Sequence, residues 1–180
     1  MSRPPAVLAE ALRVLTESSA RAVVLIDGGA GSGKTTLARE LAEHWPAPGV
    51  VQVVGLDDLY PGWGGLAAGA KAVPDLIRGT GFRTWDWRRS APGDWRRLNP
   101  AQPLIIEGCG AITAASRALA GMAVWLEVDE ASRRHRALAR DGAEFASHWE
   151  DWAAQEAVHW LSDRPWALAD QVITSSPPGP

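Results

Sequence analysis

The sequence has one cysteine, Cys109, one tyrosine and two phenylalanines among 180 residues. A single thiol closes no internal disulfide, so the fold is held by its core and not by covalent staples. Lysine is scarce as well: Lys34 and Lys71 stand against sixteen arginines. The net charge is −3, which gives no electrostatic reason to expect nucleic acid or an anionic membrane as a partner. There is no apolar run long enough to span a bilayer and no N-terminal apolar h-region, so a cytoplasmic protein is expected. Internal repeats and linker-like stretches are also missing. A single domain over residues 1–180, with a sizeable core, is the expectation.

Tryptophan breaks the pattern of scarcity, with ten in the chain. That many indoles either build the core or stand partly exposed at a ligand cleft or a partner surface. The Trp-bearing stretch 149–160 can serve as a pocket wall or as the face of a homodimer.

The most informative stretch runs from Val23 to Ala38 and reads VVLIDGGAGSGKTTLA. A short apolar run suited to a buried strand breaks into a glycine-rich loop, and helix-favouring sequence resumes at Lys34. Gly28, Gly33, Lys34 and Thr35 satisfy G-x-x-x-x-G-K-[ST], the phosphate-binding P-loop. Its glycines let successive N–H groups converge on an anion, and the following helix adds its positive end. Lys34 supplies a mobile charge and Thr35 a hydroxyl for Mg²⁺. The candidate cradle is Gly28, Gly29, Ala30, Gly31, Ser32, Gly33, Lys34, Thr35 and Thr36, and its ligands would be the phosphates of a nucleotide, with Mg²⁺.

Around this loop the chain alternates apolar runs with helical patterns. Residues 4–18 read as an amphipathic helix, 22–26 as the first strand, 34–44 as the P-loop helix and 50–56 as a second strand. Between Pro61 and Pro100 the pattern loosens; a short helix is expected at 66–77, and the rest is rich in Gly, Pro, Arg and Trp. Such an insertion in a small domain is usually functional or mobile. Further strands are expected at 104–108, 123–128 and 171–174, and helices at 113–120, 132–142 and 144–161, with a frayed tail over 175–180. Five apolar strands alternating with helices specify a three-layer α/β fold with a mostly parallel sheet, whose ligands sit at the carboxyl ends of the strands.

Acids stand at those ends. Asp57 and Asp58 follow the second strand, Glu107 the third and Asp129 the fourth. Phosphoryl transfer to a hydroxyl needs one carboxylate to accept or orient the acceptor's proton and another to hold Mg²⁺ directly or through water. Asp57 suits the first role and Glu107 the second. Asp58 reads as turn chemistry or as a support behind the site residues. VWLEVD resembles a Walker B strand, yet Asp129 also stands where a helix cap belongs, and capping is the preferred reading. Arg133, Arg136 and Arg140 follow at intervals of three and four, which puts them on one helix face. They form either a solvated stripe or a lid that neutralises charge on the γ-phosphate.

With these residues the chain resembles the P-loop kinases of the uridine kinase and phosphoribulokinase group, over nearly its whole length after Arg21. The family's D-x-F-Y is matched by Asp57-Asp58-Leu59-Tyr60, its Y-D-F loosely by Trp85-Asp86-Trp87, and its E-G by Glu107-Gly108. Its lid motif R-x-x-R-x-x-x-R-D is matched by Arg133, Arg136, Arg140 and Asp141. The resemblance implies a P-loop NTPase fold with a helical lid near 132–162 and an acceptor-binding insertion near 61–100. It makes Asp57 the base and Glu107 a partner of Mg²⁺ with Thr35. Lys34, Arg136 and Arg140 would stabilise the transferring group, Arg133 would contact ATP, and Tyr60, Trp85 and Asp86 would meet the acceptor, with Trp85 or Trp87 as an apolar wall. A small-molecule acceptor is implied: a nucleoside first, then a sugar, a sugar acid or a vitamin-like alcohol. Trp85 stands where the family has tyrosine, and the base-directed histidine of uridine kinases has no clear counterpart. The rival readings are an NTP hydrolase and a non-catalytic nucleotide-binding regulator.

Overall fold

The computed structural model describes residues 5–174. Pro4, at the start of the expected first helix, and the expected tail at 175–180 lie outside the described residues. Helix α1 (Ala6–Ser18) precedes strand β1 (Val23–Gly28), the P-loop and helix α2 (Lys34–Glu43). Strand β2 (Gln52–Gly55) ends in a 3-10 turn over Leu56–Asp58, followed by helix α3 (Leu66–Arg78) and the strands β3 (Gly81–Asp86) and β4 (Ala91–Arg97). Strand β5 (Leu104–Glu107), helix α4 (Ala114–Arg117) and strand β6 (Met122–Glu127) come next. Helix α5 (Glu130–Asp163), helix α6 (Pro165–Leu168) and strand β7 (Gln171–Thr174) complete the order.

The main sheet has the order β2-β5-β1-β6-β7, with every pairing parallel. Period-two alternation sends successive β1 side chains to opposite faces. Val23 and Leu25 join Val54, Leu104, Ile106, Val73 and Trp149 in one apolar layer; Val24 and Ile26 join Leu8, Leu12, Leu37 and Leu41 in the other. Helices α1 and α2 therefore cover one face and α3 and α5 the other, the three-layer α/β arrangement that the apolar strands specify. Because β1 is central, its P-loop opens among the carboxyl ends of β2 and β5, where acids follow. Among the described residues no helix is long and apolar enough to cross a membrane.

The segment that looks patternless in sequence is ordered. β3 and β4 form an antiparallel ribbon, with Gly81 opposite Arg97 and Asp86 opposite Ala91 and a register shift between Arg83 and Trp85. β4 has no buried residue, so no apolar alternation announces it, and Pro92 and Gly93 lie within it. The expected helices at 132–142 and 144–161 are one element with a break at Gly142, whose φ of 68° and ψ of −149° lie in a region used almost only by glycine. It begins two residues early because Asp129 caps it, accepting the Ser132 N–H at 2.8 Å. The helix expected at 113–120 shrinks to α4, capped by Thr113.

Candidate active site

Where β1 gives way to α2, Gly31 and Gly33 take positive φ values of 79° and 98°. These conformations are open to glycine, and they turn the chain so that its amides face one point. Among the described residues, the N–H groups of Gly31, Gly33, Lys34, Thr35 and Thr36 donate to no protein acceptor. The Ser32 hydroxyl is buried without a partner. Free donors and an orphaned hydroxyl, set at a helix N-terminus, fit a chain of phosphates.

Lys34 is 8% exposed, and its Nζ donates to the carbonyls of Gly28 and Gly29, 2.9 Å each, and lies 3.4 Å from Cys109 Sγ. Burial opposes its charge, but Cys109, Glu107, Glu156 and Asp27 around it outweigh burial and raise its pKa. The loop thus holds a firmly cationic ammonium on its own carbonyls, close to the cavity it lines.

That cavity has a volume of about 320 Å³. The P-loop residues Ala30, Gly31, Gly33, Lys34, Thr35 and Thr36 form one end. Asp57, Glu107, Cys109, Arg140 and Asp141 line it further, and Tyr60, Trp63, Trp87, Phe145 and Trp152 give it an aromatic wall. Thr35 Oγ1 donates to Glu107 Oε1 at 2.9 Å. A hydroxyl beside a carboxylate is a hard oxygen pair that suits Mg²⁺, which takes few protein ligands and completes its shell with water and phosphate oxygens. Among the described residues no cluster of three or more His, Cys, Asp or Glu forms a metal cage of its own.

Burial raises the Glu107 pKa, against the charge of Lys34 and the Thr35 hydrogen bond, which lower it. Asp57 is solvent-accessible through the cavity but crowded by its walls. That partial desolvation raises its pKa, while the charges of Lys34 and Arg140 pull it down. Asp57 also holds the wall in place, since its backbone carbonyl accepts the Trp87 indole N–H at 2.8 Å.

The lid arginines separate. Arg140 lines the cavity, paired with Asp141 through hydrogen bonds of 2.7 and 2.6 Å, and that pairing raises its pKa. Arg136 is half-buried and outside the cavity lining. Arg133 departs furthest from the expected ATP contact: its guanidinium is buried behind the P-loop. Its Nη1 lies 3.3 Å from both the Ala30 carbonyl and Glu156 Oε2, and its Nε donates to the Val128 carbonyl at 3.2 Å. A Cβ at Gly29 would overlap this guanidinium, and one at Gly31 would overlap the Arg133 backbone. Helix period puts the three arginines on one face, but that face packs against the loop at Arg133, and only Arg140, two turns on, lines the cavity.

Trp85 and Asp86 also fall outside the cavity lining. Asp86 Oδ1 accepts the N–H groups of Arg88 and Arg89 at 3.0 and 3.1 Å, which makes it the turn acid of the β3-β4 ribbon. Trp87, one residue on, takes the wall position. Tyr60 is buried, with its ring along the cavity and its hydroxyl donated to the Cys109 carbonyl at 2.7 Å. Asp58 pairs with Arg96 at the surface.

Several residues at the site escaped sequence reading. Glu156, 1% exposed, accepts the Ala30 N–H at 2.6 Å and the Cys109 thiol at 3.2 Å. Asp27, fully buried, accepts the N–H groups of Gly28, Gly110 and Ile112 and lies 3.3 Å from His159 Nε2, whose Nδ1 is 3.1 Å from Asp163. A signal was present: 149, 152, 156 and 159 share helical spacing, so Glu156 and His159 sit on the apolar stripe of Trp149 and Trp152. A charge on a buried stripe needs a partner, and Asp27 is an acid inside an apolar strand.

A family model described as an AAA domain matches residues 9–137. No curated protein matches the chain. Among solved structures, a "putative fructose transport system kinase" from Silicibacter sp. is 19% identical with a TM-score of 0.64, covering 93% of this chain and 97% of that one. A "possible uridine kinase" from Bacillus stearothermophilus is 19% identical with a TM-score of 0.58, covering 92% and 98%. An uncharacterized protein from Eubacterium ventriosum is 14% identical with a TM-score of 0.51, covering 86% and 88%. At these identities the likeness is one of fold, shared with structures described as kinases. With the match spanning residues 9–137, the glycine loop and Lys34 among them, the chain belongs to the P-loop AAA-domain family.

Proposed function

We propose that the protein is an ATP-dependent kinase that transfers the γ-phosphoryl group to the hydroxyl of a small molecule. The observation that carries this reading is that Asp57 shares one walled cavity with Lys34, Thr35 and Glu107. A water-using hydrolase has no need of an aromatic chamber beside its carboxylate, whereas an acceptor alcohol does. The kinase descriptions of the two structural neighbours point the same way.

The P-loop amides and Lys34 hold the phosphates, and Arg140 reaches the transferring group from the lid side once it leaves Asp141. Thr35 and Glu107 hold Mg²⁺, whose charge would offset that of the phosphates when bound. Asp57 accepts or orients the proton of the acceptor hydroxyl, so that the oxygen attacks in line. The segment 61–100 supplies part of the acceptor wall, and the first half of α5 is the lid.

The test is ADP release from Mg·ATP by the full chain, with and without a panel of hydroxyl compounds, repeated with Asp57→Asn. Stimulation by one compound that is lost in Asp57→Asn, with ATP binding retained, is expected. Turnover indifferent to every alcohol would point to a hydrolase, which an AAA-domain match also accommodates.

A further inference from the structure

The cavity continues outward into a smaller hollow of about 210 Å³, lined by Trp63, Trp87, Phe145, Asp141 and Glu144. All of these except Glu144 also line the main cavity, so the two spaces adjoin. The Trp63 ring is 5.0 Å from Trp87 and 5.5 Å from Phe145, centroid to centroid. Three aromatic rings and two carboxylates make up this lining; Arg140 pairs with Asp141 from the main cavity, and His148 stacks on the Trp63 ring with centroids 4.3 Å apart, which leaves Glu144 as the carboxylate with no cation against it among the described residues.

Charge in the larger cavity points the same way. Its cations are Lys34 and Arg140, both committed to phosphate in the reading above. Arg83, Arg88 and Arg89, the loop arginines that could clamp an anion, line neither hollow, and Arg83 Nη1 donates to the Gly93 carbonyl. An anionic acceptor would face Asp57, Asp141 and Glu144 with no cation left to meet it.

Aromatic faces attract cations, most strongly when water is displaced, and carboxylates beside them add to the attraction. We infer that the acceptor is a hydroxyl compound carrying a positively charged nitrogen, such as an amino alcohol or amino sugar. Its cation sits in the hollow of Trp63, Trp87 and Phe145 beside Asp141 and Glu144, and its hydroxyl reaches Asp57. The fate of the hydroxyl rests on the kinase reading; recognition of the cation rests only on its phosphate-binding part, in which Arg140 turns from Asp141 to the nucleotide.

The test is calorimetric titration of the full chain, loaded with Mg²⁺ and a non-hydrolysable ATP analogue, with matched ligands. Choline is set against 3,3-dimethylbutan-1-ol and glucosamine against glucose, with glycerate as the anion. The expected result is that at least one cation binds about fivefold or more tightly than its neutral counterpart, with glycerate weakest. Glu144→Gln, an exposed change that leaves the fold alone, should reduce that preference about two- to fivefold. A neutral partner binding as well as its cation, glycerate binding best, or the analogue binding while no cation does, each overturns the inference. ADP release on the same panel separates the two readings. Cation binding as expected without ADP release leaves the site standing and removes the kinase, whereas Asp57-dependent ADP release driven by a neutral or anionic compound does the reverse.

Discussion

Glu156 Oε1 accepts the backbone N–H of Ala30 at 2.6 Å, tying the P-loop to a helix residue 126 positions further along the chain. The other carboxylate oxygen faces Arg133, and both side chains are under 10% exposed. The loop's shape is therefore set from beneath by a buried ion pair drawn from the two halves of α5, one on each side of Gly142. Removing one member of such a pair leaves an uncompensated buried charge. Glu156→Ala should cost about 3–5 kcal/mol in urea unfolding. A loss below about 1 kcal/mol would show that the pair does not carry the loop.

Lys34 contributes to the loop differently. Its ammonium rests on two loop carbonyls, so its removal frees acceptors near an open cavity and leaves the core intact. Lys34→Met should keep its thermal midpoint close to the parent while ATP affinity falls. Charge-assisted hydrogen bonds contribute about 1.5–3 kcal/mol, so the expected loss is roughly ten- to a hundredfold. Unchanged affinity by calorimetry would remove the phosphate assignment.

The electrostatics around Asp57 set the acid limb of the pH profile. Its wall raises the carboxyl pKa above the ordinary 3.8, so the base is lost to protonation at a higher pH than a free aspartate would be. Activity should rise with pH through that displaced pKa. Arg140 lowers it, and so Arg140→Gln should push the acid limb of kcat/KM upward. An acid limb that stays in place would mean that Asp57 is not the titrating base.

The main sheet was legible because its physics is local. Buried parallel strands are continuous apolar runs, and the acids and glycines that end them are visible one by one. Tertiary geometry decided the rest. Whether Arg133 faces phosphate or the underside of the loop depends on how α5 crosses the sheet, which helical period does not encode. The β3-β4 ribbon escapes the sequence because β4 buries nothing; Trp152 belongs to the stretch 149–160 that reads as a pocket wall or a dimer face, whereas Trp63 and Phe145 join that wall only in the fold. Asp57, Lys34, Thr35 and Glu107 could be read because each follows its own strand end or lies in the P-loop; Trp87, not Trp85, faces the cavity because Asp86 is taken up in the turn.

His159 lies between Asp27 and Asp163, 5% exposed. Burial works against its protonation, but the Asp27 hydrogen bond and the charges of Asp27 and Asp163 prevail, so its pKa is raised above 6.5. A raised histidine pKa stabilises the native state fully below the unfolded value, and that contribution is lost as pH rises through the folded value. Stability measured by urea unfolding should therefore decline from about pH 6.5 upward. His159→Gln should be flatter across the same window. Parallel pH curves for the two proteins would show that the imidazole is neutral throughout.

Gly142 divides α5 into a first half that carries Arg140 to the cavity and a second half whose Trp149, Trp152, Glu156 and His159 are anchored in the core. A Cβ there would meet nothing within 4 Å, so any cost of a side chain comes from the backbone and not from a clash. Its φ of 68° and ψ of −149° cost a non-glycine residue about 1–3 kcal/mol. Gly142→Ala should accordingly favour a continuous helix that swings Arg140 away from Asp57. In the parent chain, Mg·ATP should slow hydrogen exchange over residues 133–160 as the first half closes on the phosphates. In Gly142→Ala that protection should shrink most between 133 and 141, and kcat should fall together with ATP affinity, because re-aligning the two halves of α5 also disturbs the Arg133–Glu156 pair beneath the P-loop. Equal protection in both proteins would mean that the two halves of α5 do not move relative to each other, and that Arg140 already stands where the reaction needs it.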